Sequence, residues 1–398
     1  MKKPSLSLND RGRIYLDHNA TTPPLQSVVD QLVTWAHEWG NPSSIHWSGR
    51  APKTRIRDAR SAIAKMLGCH PLEVIFTSGG SESNNYVIKG FYELHNTSER
   101  NEYITTEVEH PSVKKSFDDI EARGARVYRL KVDRSGQIDM ATYSKLLSSK
   151  TALVSIMYAN NETGSVFPVA EMCVQAHRVG AKFHTDAVQA LGKVPLDISK
   201  LEVDYASFAA HKLYSLRGTG VLFCKKGGQL KSLISGGAQE RARRAGTENT
   251  LSIASFGHVA ALLPEIISEK NIQMKTLRDN MEAQILNKIS DVQLTGSGVD
   301  RLPNTSSLLI EGIDGESLLM NLDIEGVSVS TGAACSSGSP EPSPVLLAMG
   351  LSRAEAQKSL RVSLGWSTTQ AEIDHFVEIL VKVVTRLRSF HNTEKLNV

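Results

Sequence analysis

Lys212, in the run Ala209 to Tyr214, and Asp186, in the run His184 to Gln189, are the side chains whose types and order most narrowly define a chemistry. A lysine amine can hold an aldehyde as a Schiff base. A carboxylate set against a pyridine nitrogen keeps that nitrogen protonated, so the ring can accept electrons. Alone, either residue would read as a surface lysine or a strand-end aspartate. Together they point to pyridoxal phosphate.

Other motifs suit the same pocket. Val74 to Asn84 reads as a strand, a glycine turn at Gly79 and Gly80, and a helix start, where free amides and the hydroxyl of Ser81 suit a phosphate. The run is neither a Walker loop nor a dinucleotide fingerprint, and by itself it is also how a tight connection looks. His110, followed by Pro111 and Ser112, places an imidazole in a turn after a strand, where it can stack on an aromatic ring and exchange protons. The run Ala159 to Gly164 offers Asn161 to a phenolate oxygen, although Asn-Asn-Glu-Thr-Gly is equally a turn.

Two residues extend the set. Cys335 lies in a run of small and polar residues from Ser330 to Pro340, too polar for a core and suited to an exposed thiol, whereas Cys69, Cys173 and Cys224 read as buried small hydrophobes. Arg361, on the apolar strand Leu360 to Ser363, needs an anionic partner: a structural carboxylate or a substrate carboxylate gripped by both nitrogens. Arg241, Arg243 and Arg244 form a basic cluster, read as a loop near an anionic ligand.

The elements that position these residues alternate. Short apolar runs at Val74–Phe76, Tyr103–Thr105, Ala152–Met157, Ala181–Thr185, Tyr205–Phe208 and Val221–Cys224 are separated by helix-like stretches, which predicts a mainly parallel sheet covered by helices. Several runs end at the polar motifs, where ligands of open α/β sheets gather. From about Leu263 a charged helical stretch runs toward Ile289. Strands at Ser306–Ile310, Val327–Ser330 and Leu360–Ser363 and a final amphipathic helix from Gln370 follow, predicting a smaller α+β domain.

The 398 residues are 40% hydrophobic and carry a formal net charge of +3, so no global field favours nucleic acid or an anionic membrane. The first residues lack a secretory leader's apolar run, and the four cysteines show neither paired zinc-ligand spacing nor a disulfide framework. A cytoplasmic protein with reduced thiols is the expectation.

The motifs together, from Tyr15–Thr22 to Leu360–Gly365, resemble the group I cysteine desulfurases, within the class V aminotransferase group of fold-type I pyridoxal phosphate enzymes. Gly40 to His46, Arg244 to Asn249 and the Cys335 run are the most specific matches. The resemblance implies a large cofactor-binding domain over 20–261, with a mainly parallel seven-stranded sheet, and a small α+β domain of 1–19 and 262–398. It implies that Lys212 bonds pyridoxal phosphate, Asp186 pairs with the ring nitrogen, Asn161 and Gln189 bond the ring oxygen, and His110 stacks on the ring. Gly80, Ser81 and His211 would hold the phosphate. Thr247 would complete the phosphate site of a second copy, making a homodimer. Arg361 would bind the carboxylate of L-cysteine and Cys335 would take its sulfur as a persulfide, leaving alanine. The acceptor would be an iron–sulfur scaffold or another sulfur carrier, with no direct nucleic-acid or membrane binding.

Three positions depart from the pattern: Ala209 where a phosphate-binding serine is common, His18 where asparagine is common and Trp366 where arginine is frequent. A selenocysteine lyase shares the cofactor and the bond cleavage. A class V aminotransferase has no need of Cys335, and a silent cofactor-binding scaffold has no need of both Lys212 and Cys335.

Overall fold

The computed structural model describes residues 12–331 and 341–396. Its strands, in chain order, are β1 (Ile14–Tyr15), β2 (Val74–Thr77), β3 (Glu102–Thr106), β4 (Arg126–Leu130), β5 (Thr151–Ser155), β6 (Lys182–Asp186), β7 (Tyr205–Ala209), β8 (Gly220–Cys224), β9 (Val292–Leu294), β10 (Thr305–Ile310), β11 (Val327–Ser328) and β12 (Ser359–Ser363).

Seven strands form the main sheet in the order β2-β8-β7-β6-β5-β3-β4. All neighbours are parallel except β8, which runs against both β2 and β7. The carboxyl ends of β2, β3, β4, β5, β6 and β7 therefore lie at one edge. Strands β2, β3, β5, β7 and β8 are buried at every position. Helices cover both faces, which is why these runs read as continuous rather than alternating hydrophobics. One face packs around Ile63, Phe183 and Phe208, the other around Tyr86, Phe117 and Tyr205.

Strand β4 went unread in the sequence. It closes the sheet on its outer edge, and its exposed charges obscure the pattern: Arg126 reaches Glu102, and Arg129 reaches Asp118 and Glu121.

The second layer set is smaller. β9, β10 and β12 form an antiparallel sheet, β1 and β11 a parallel pair, and Asp17 bridges to Ser363. Their core gathers Leu308, Leu360 and the predicted face of the last helix, Gln370–Leu396, through Ile373, Phe376, Leu380 and Val383. Between the two cores runs the helix Thr250–Lys288, which starts earlier than its sequence pattern. Ile253 to Ala260 are buried almost throughout, so this stretch shows no polar stripe to reveal a helical period. The boundary expected at 261/262 falls inside this continuous helix. Leu263 and Met274 still pack in the first core, and Leu277 is the first of its residues in the second.

Candidate active site

The carboxyl edge of the main sheet collects the candidate residues. Asp186 ends β6 and is buried. Its Oδ2 accepts from Asn84 Nδ2 at 2.7 Å and its Oδ1 from the Val188 amide at 3.0 Å, which orients the carboxylate. Lys212 follows β7 in a short 3-10 turn, Ala210–Lys212. Its Nζ donates to the carbonyls of Asn19 and Ala20, each at 2.6 Å. Burial, reinforced by the nearby Arg361 guanidinium and opposed by Asp17 and Asp186, brings its pKa down to about 8.

His110 follows β3 at the mouth of the site. It caps the helix Pro111–Ala122 by accepting the Ser112 amide at Nδ1, 3.1 Å away, with Ser112 Oγ 2.8 Å from the same nitrogen. Asn84 Nδ2 reaches that hydroxyl at 3.0 Å, so a chain of hydrogen bonds joins His110 through Ser112 and Asn84 to Asp186. Burial draws the His110 pKa down, Asp186 opposes this and Lys212 adds to it.

Gly80 opens the helix Gly80–His95, whose N-terminus has no side-chain cap. A Cβ on Gly79 would meet nothing within 4 Å, while one on Gly80 would lie 2.7 Å from Val188 Cγ2 and one on Gly220 would lie 2.6 Å from the Gly79 backbone. The turn is open on its outer side and tightly supported beneath. Ser81 is exposed beside it. His211 turns Nδ1 to Thr21 Oγ1 at 3.1 Å, and burial with Lys212 and Arg217 lowers its pKa to about 4. Asn161, after β5, accepts at its backbone carbonyl from Asn19 Nδ2 and Arg361 Nη1.

These groups fit a phosphorylated pyridine aldehyde. Uncapped helix amides border open space, a buried carboxylate is already oriented, and an amine stands with a lowered pKa. Asn84 Oδ1, buried without a partner among the described residues, leaves an acceptor beside Asp186.

The structure adds detail to two expectations. Gln189, expected to bond a ring oxygen, has its amide oriented from within the protein: Nε2 donates one hydrogen to the Asn19 carbonyl at 3.0 Å and Oε1 accepts from Lys193 at 2.7 Å, and Nε2 keeps a second hydrogen. In the basic cluster, Arg244 is paired with Glu82, and Arg243 bonds the Glu240 carbonyl. That leaves Arg241 alone of the three at the surface with no acid beside it among the described residues.

Arg361 lies buried on β12. Nη2 meets Asp17 Oδ1 at 2.7 Å, Nη1 meets the Asn161 carbonyl at 3.2 Å, and Nε has no hydrogen-bond partner among the described residues. Cys335 lies outside the described residues, but the chain on both sides is placed. Ser330 exchanges backbone hydrogen bonds with Arg361, and Ser359 Oγ donates to the Thr331 carbonyl. Farther on, Ser343 donates to Glu162, next to Asn161. Both approaches to the cysteine are thus tied to the arginine's surroundings.

The family model for aminotransferase class-V matches residues 14–376. A cysteine desulfurase of Cereibacter sphaeroides is 42% identical over 380 residues, covering 95% of this chain and 97% of that protein. Among solved structures, a NifS-like protein superposes with a TM-score of 0.87 at 34% identity, over 94% of this chain and 99% of the other. One titled SspA in complex with cysteine gives 0.78 at 31%, over 88% and 98%. The chain belongs to the class V aminotransferases, as a cysteine desulfurase.

In this desulfurase the three departures are accommodated locally. Ala209 ends β7 with its Cβ 3.8 Å from the position of a Cβ on Gly80, directly under the glycine turn. Trp366 stacks on Tyr214 at 3.9 Å and its amide donates to the Tyr214 hydroxyl, filling the space with an aromatic pair. His18 packs edge-on to Tyr15 and lies so close to Gly365 that a Cβ there would overlap the ring. Thr247 is exposed in the segment before the long helix. The residues that sequence reasoning missed are Asn84, Asp17, Asn19 and Lys193. The first three lie within runs that were singled out, but Lys193 carried no motif.

Proposed function

We propose that this enzyme takes sulfur from free L-cysteine with pyridoxal 5'-phosphate as cofactor, producing alanine and a persulfide on Cys335. The observation that carries the reading is a shared set of carbonyls. The Asn19 carbonyl holds the Lys212 amine, Asn19 Nδ2 and Arg361 share the Asn161 carbonyl, and Arg361 pairs with Ser330, five residues before Cys335. Amine, guanidinium and the approach to the thiol thus converge.

Bound here, the cofactor supplies an electron sink for the substrate's α-carbon. Lys212 would bond its aldehyde carbon, Asp186 would hold the ring nitrogen protonated, and Gly80, Ser81 and His211 would surround the phosphate. Asn161 would donate to the ring oxygen, and the oriented Gln189 amide would stand beside it. Arg361 would grip the substrate carboxylate, for which it holds an unused Nε–H. Lys212, once displaced, would take the α-proton, and its lowered pKa favours the neutral amine that this requires. His110, kept neutral, would stack on the ring and carry a proton from the substrate thiol. The Cys335 thiolate would attack the substrate sulfur. The carbon–sulfur bond breaks, the sulfur stays on Cys335 and the three-carbon fragment gains a proton at Cβ, so that cysteine and enzyme thiol give alanine and enzyme persulfide.

The second copy expected to receive Thr247 has a surface to meet. Val33, Trp39, Ile45 and Trp47 are each exposed apolar side chains, with Ile45 97% exposed, and Trp39 and Trp47 line one depression. A homodimer, a cytoplasmic location and delivery of the persulfide to an iron–sulfur scaffold or sulfur carrier complete the proposal. The division into a 20–261 domain and a 1–19 plus 262–398 domain belongs to it as well, with the helix Thr250–Lys288 shared between them.

The test is alanine and sulfide release from L-cysteine with a reductant, in wild type and Cys335→Ser. Both should retain the cofactor's visible band, and only the wild type should form persulfide and release sulfide. Equal sulfide release by the variant would remove Cys335 from the reaction. Activity confined to selenocysteine would change the substrate.

A further inference from the structure

Lys193 is a buried lysine with no part in the reaction as proposed. It lies one turn after Gln189, and Gly192, at φ +76°, reverses the chain just before it. Its Nζ meets two amide oxygens, Gln189 Oε1 at 2.7 Å and Asn19 Oδ1 at 2.9 Å. The two ends of an amide are almost the same size, so packing alone orients it poorly, whereas an amine donor selects the oxygen. With Oε1 turned to Lys193, Gln189 Nε2 is directed at the Asn19 backbone carbonyl, 3.0 Å away. That carbonyl is one of the two that hold Lys212.

Asn19 is gripped from both ends. Its Oδ1 accepts from Lys193 and from Asn304 Nδ2 at 3.1 Å, which leaves its Nδ2 to reach Thr305 Oγ1 and the Asn161 carbonyl. Lys193 thus closes a ring of hydrogen bonds through Gln189 and both the side chain and the backbone of Asn19. We propose that Lys193 is a positioning residue for the reactive amine: it clamps Asn19, and so fixes the carbonyl against which Lys212 is held. The inference rests on Lys212 being the amine of the reaction.

Two N–H groups of Lys193 meet acceptors, and full burial pushes its pKa well below the ordinary lysine value. The charged and titratable groups around Lys212 are Asp17, Asp186, Arg361, His110, His211 and Lys193. With burial pushing Lys193 toward its neutral form, removing it changes that field little and chiefly loosens the carbonyl. A carbonyl acceptor favours the protonated amine, so its loss moves the Lys212 midpoint down.

The experiment uses cofactor-free full-length protein. Acetic anhydride labelling of Lys212 is followed across pH by peptide mass spectrometry in wild type and Lys193→Met. The wild-type midpoint is expected at about 8, and the variant's lower by about half a unit or more. Reloaded with cofactor, Lys193→Met should lose about tenfold in kcat/KM for cysteine. If it does not fold, Lys193→Gln should show the same direction with a smaller shift. A midpoint that stays put overturns the clamp, and one that rises shows Lys193 acting as a charge. Combining Lys193→Met with Gln189→Ala should cost less than the two changes separately, and full additivity would also count against it. A wild type that makes no alanine would defeat the reading of the reaction while leaving the midpoint test intact.

Discussion

Arg361 shows how much a single buried residue can be made to do. Its guanidinium is planar with five N–H donors, and the fold uses Nη1 and Nη2 for the Asn161 carbonyl and Asp17, leaving Nε. Asp17 keeps the charge paired before substrate arrives, which answers the cost of burying an arginine alone. In the proposed reaction a substrate carboxylate would share the guanidinium with Asp17, so Arg361→Ala would remove both a binding group and a structural pair. Its kcat/KM for cysteine should fall by roughly 10- to 100-fold, mainly through KM. An unchanged KM in steady-state assays would place the carboxylate elsewhere. Lys212, Asp186 and Arg361 were legible in the sequence because each is an ionisable group on an apolar or small-residue background. Lys193 was not, since nothing local distinguishes a buried lysine from a surface one, and its partners lie four and 174 positions away.

At the scale of the elements, the site exists because six strands end at one edge, and the antiparallel β8 preserves this by restoring the direction between β7 and β2. β8 also supports the glycine turn. A Cβ on Gly220 would press on the backbone of Gly79 and the Phe208 carbonyl, each at 2.6 Å, and backbone cannot swing aside as a side chain can. Gly220→Ala should therefore weaken pyridoxal phosphate binding about tenfold or more, with the helix content unchanged. Equilibrium titration of the cofactor-free protein, beside its circular dichroism, reads both. The strand ends carrying polar motifs were read correctly because burial on both faces makes short apolar runs bounded by turns. The edge strand β4 and the first turns of Thr250–Lys288 were not: one is charged along its exposed side, the other is apolar all round, and each lacks the contrast that periodicity needs.

At the scale of the whole molecule, the exposed Trp39, Ile45 and Trp47 lie in or next to the Gly40–His46 motif that carried the family resemblance, and the proposed homodimer would bury them. Trp47→Glu should shift sedimentation from dimer to monomer and release cofactor with it, if Thr247 completes the partner's phosphate site. A dimer that persists would put the interface elsewhere. The alternation of strands and helices foretold the α/β class, but not that two cores would share one helix, because shared burial leaves no boundary signal in composition.

The short β1 pairs with β11, more than three hundred residues farther on, and the segment after it supplies Asp17 to Arg361 and Asn19 to Asn304 and Ser363. A ribosome therefore makes this segment well before its partners, and it cannot be seated until β11 and β12 have emerged. The first core likewise waits for Val345, Met349 and Trp366. Every nascent chain must carry its Lys212-holding carbonyls unplaced while more than three hundred further residues are made, so that the amine of Lys212 acquires its final surroundings only after β11 and β12 have emerged.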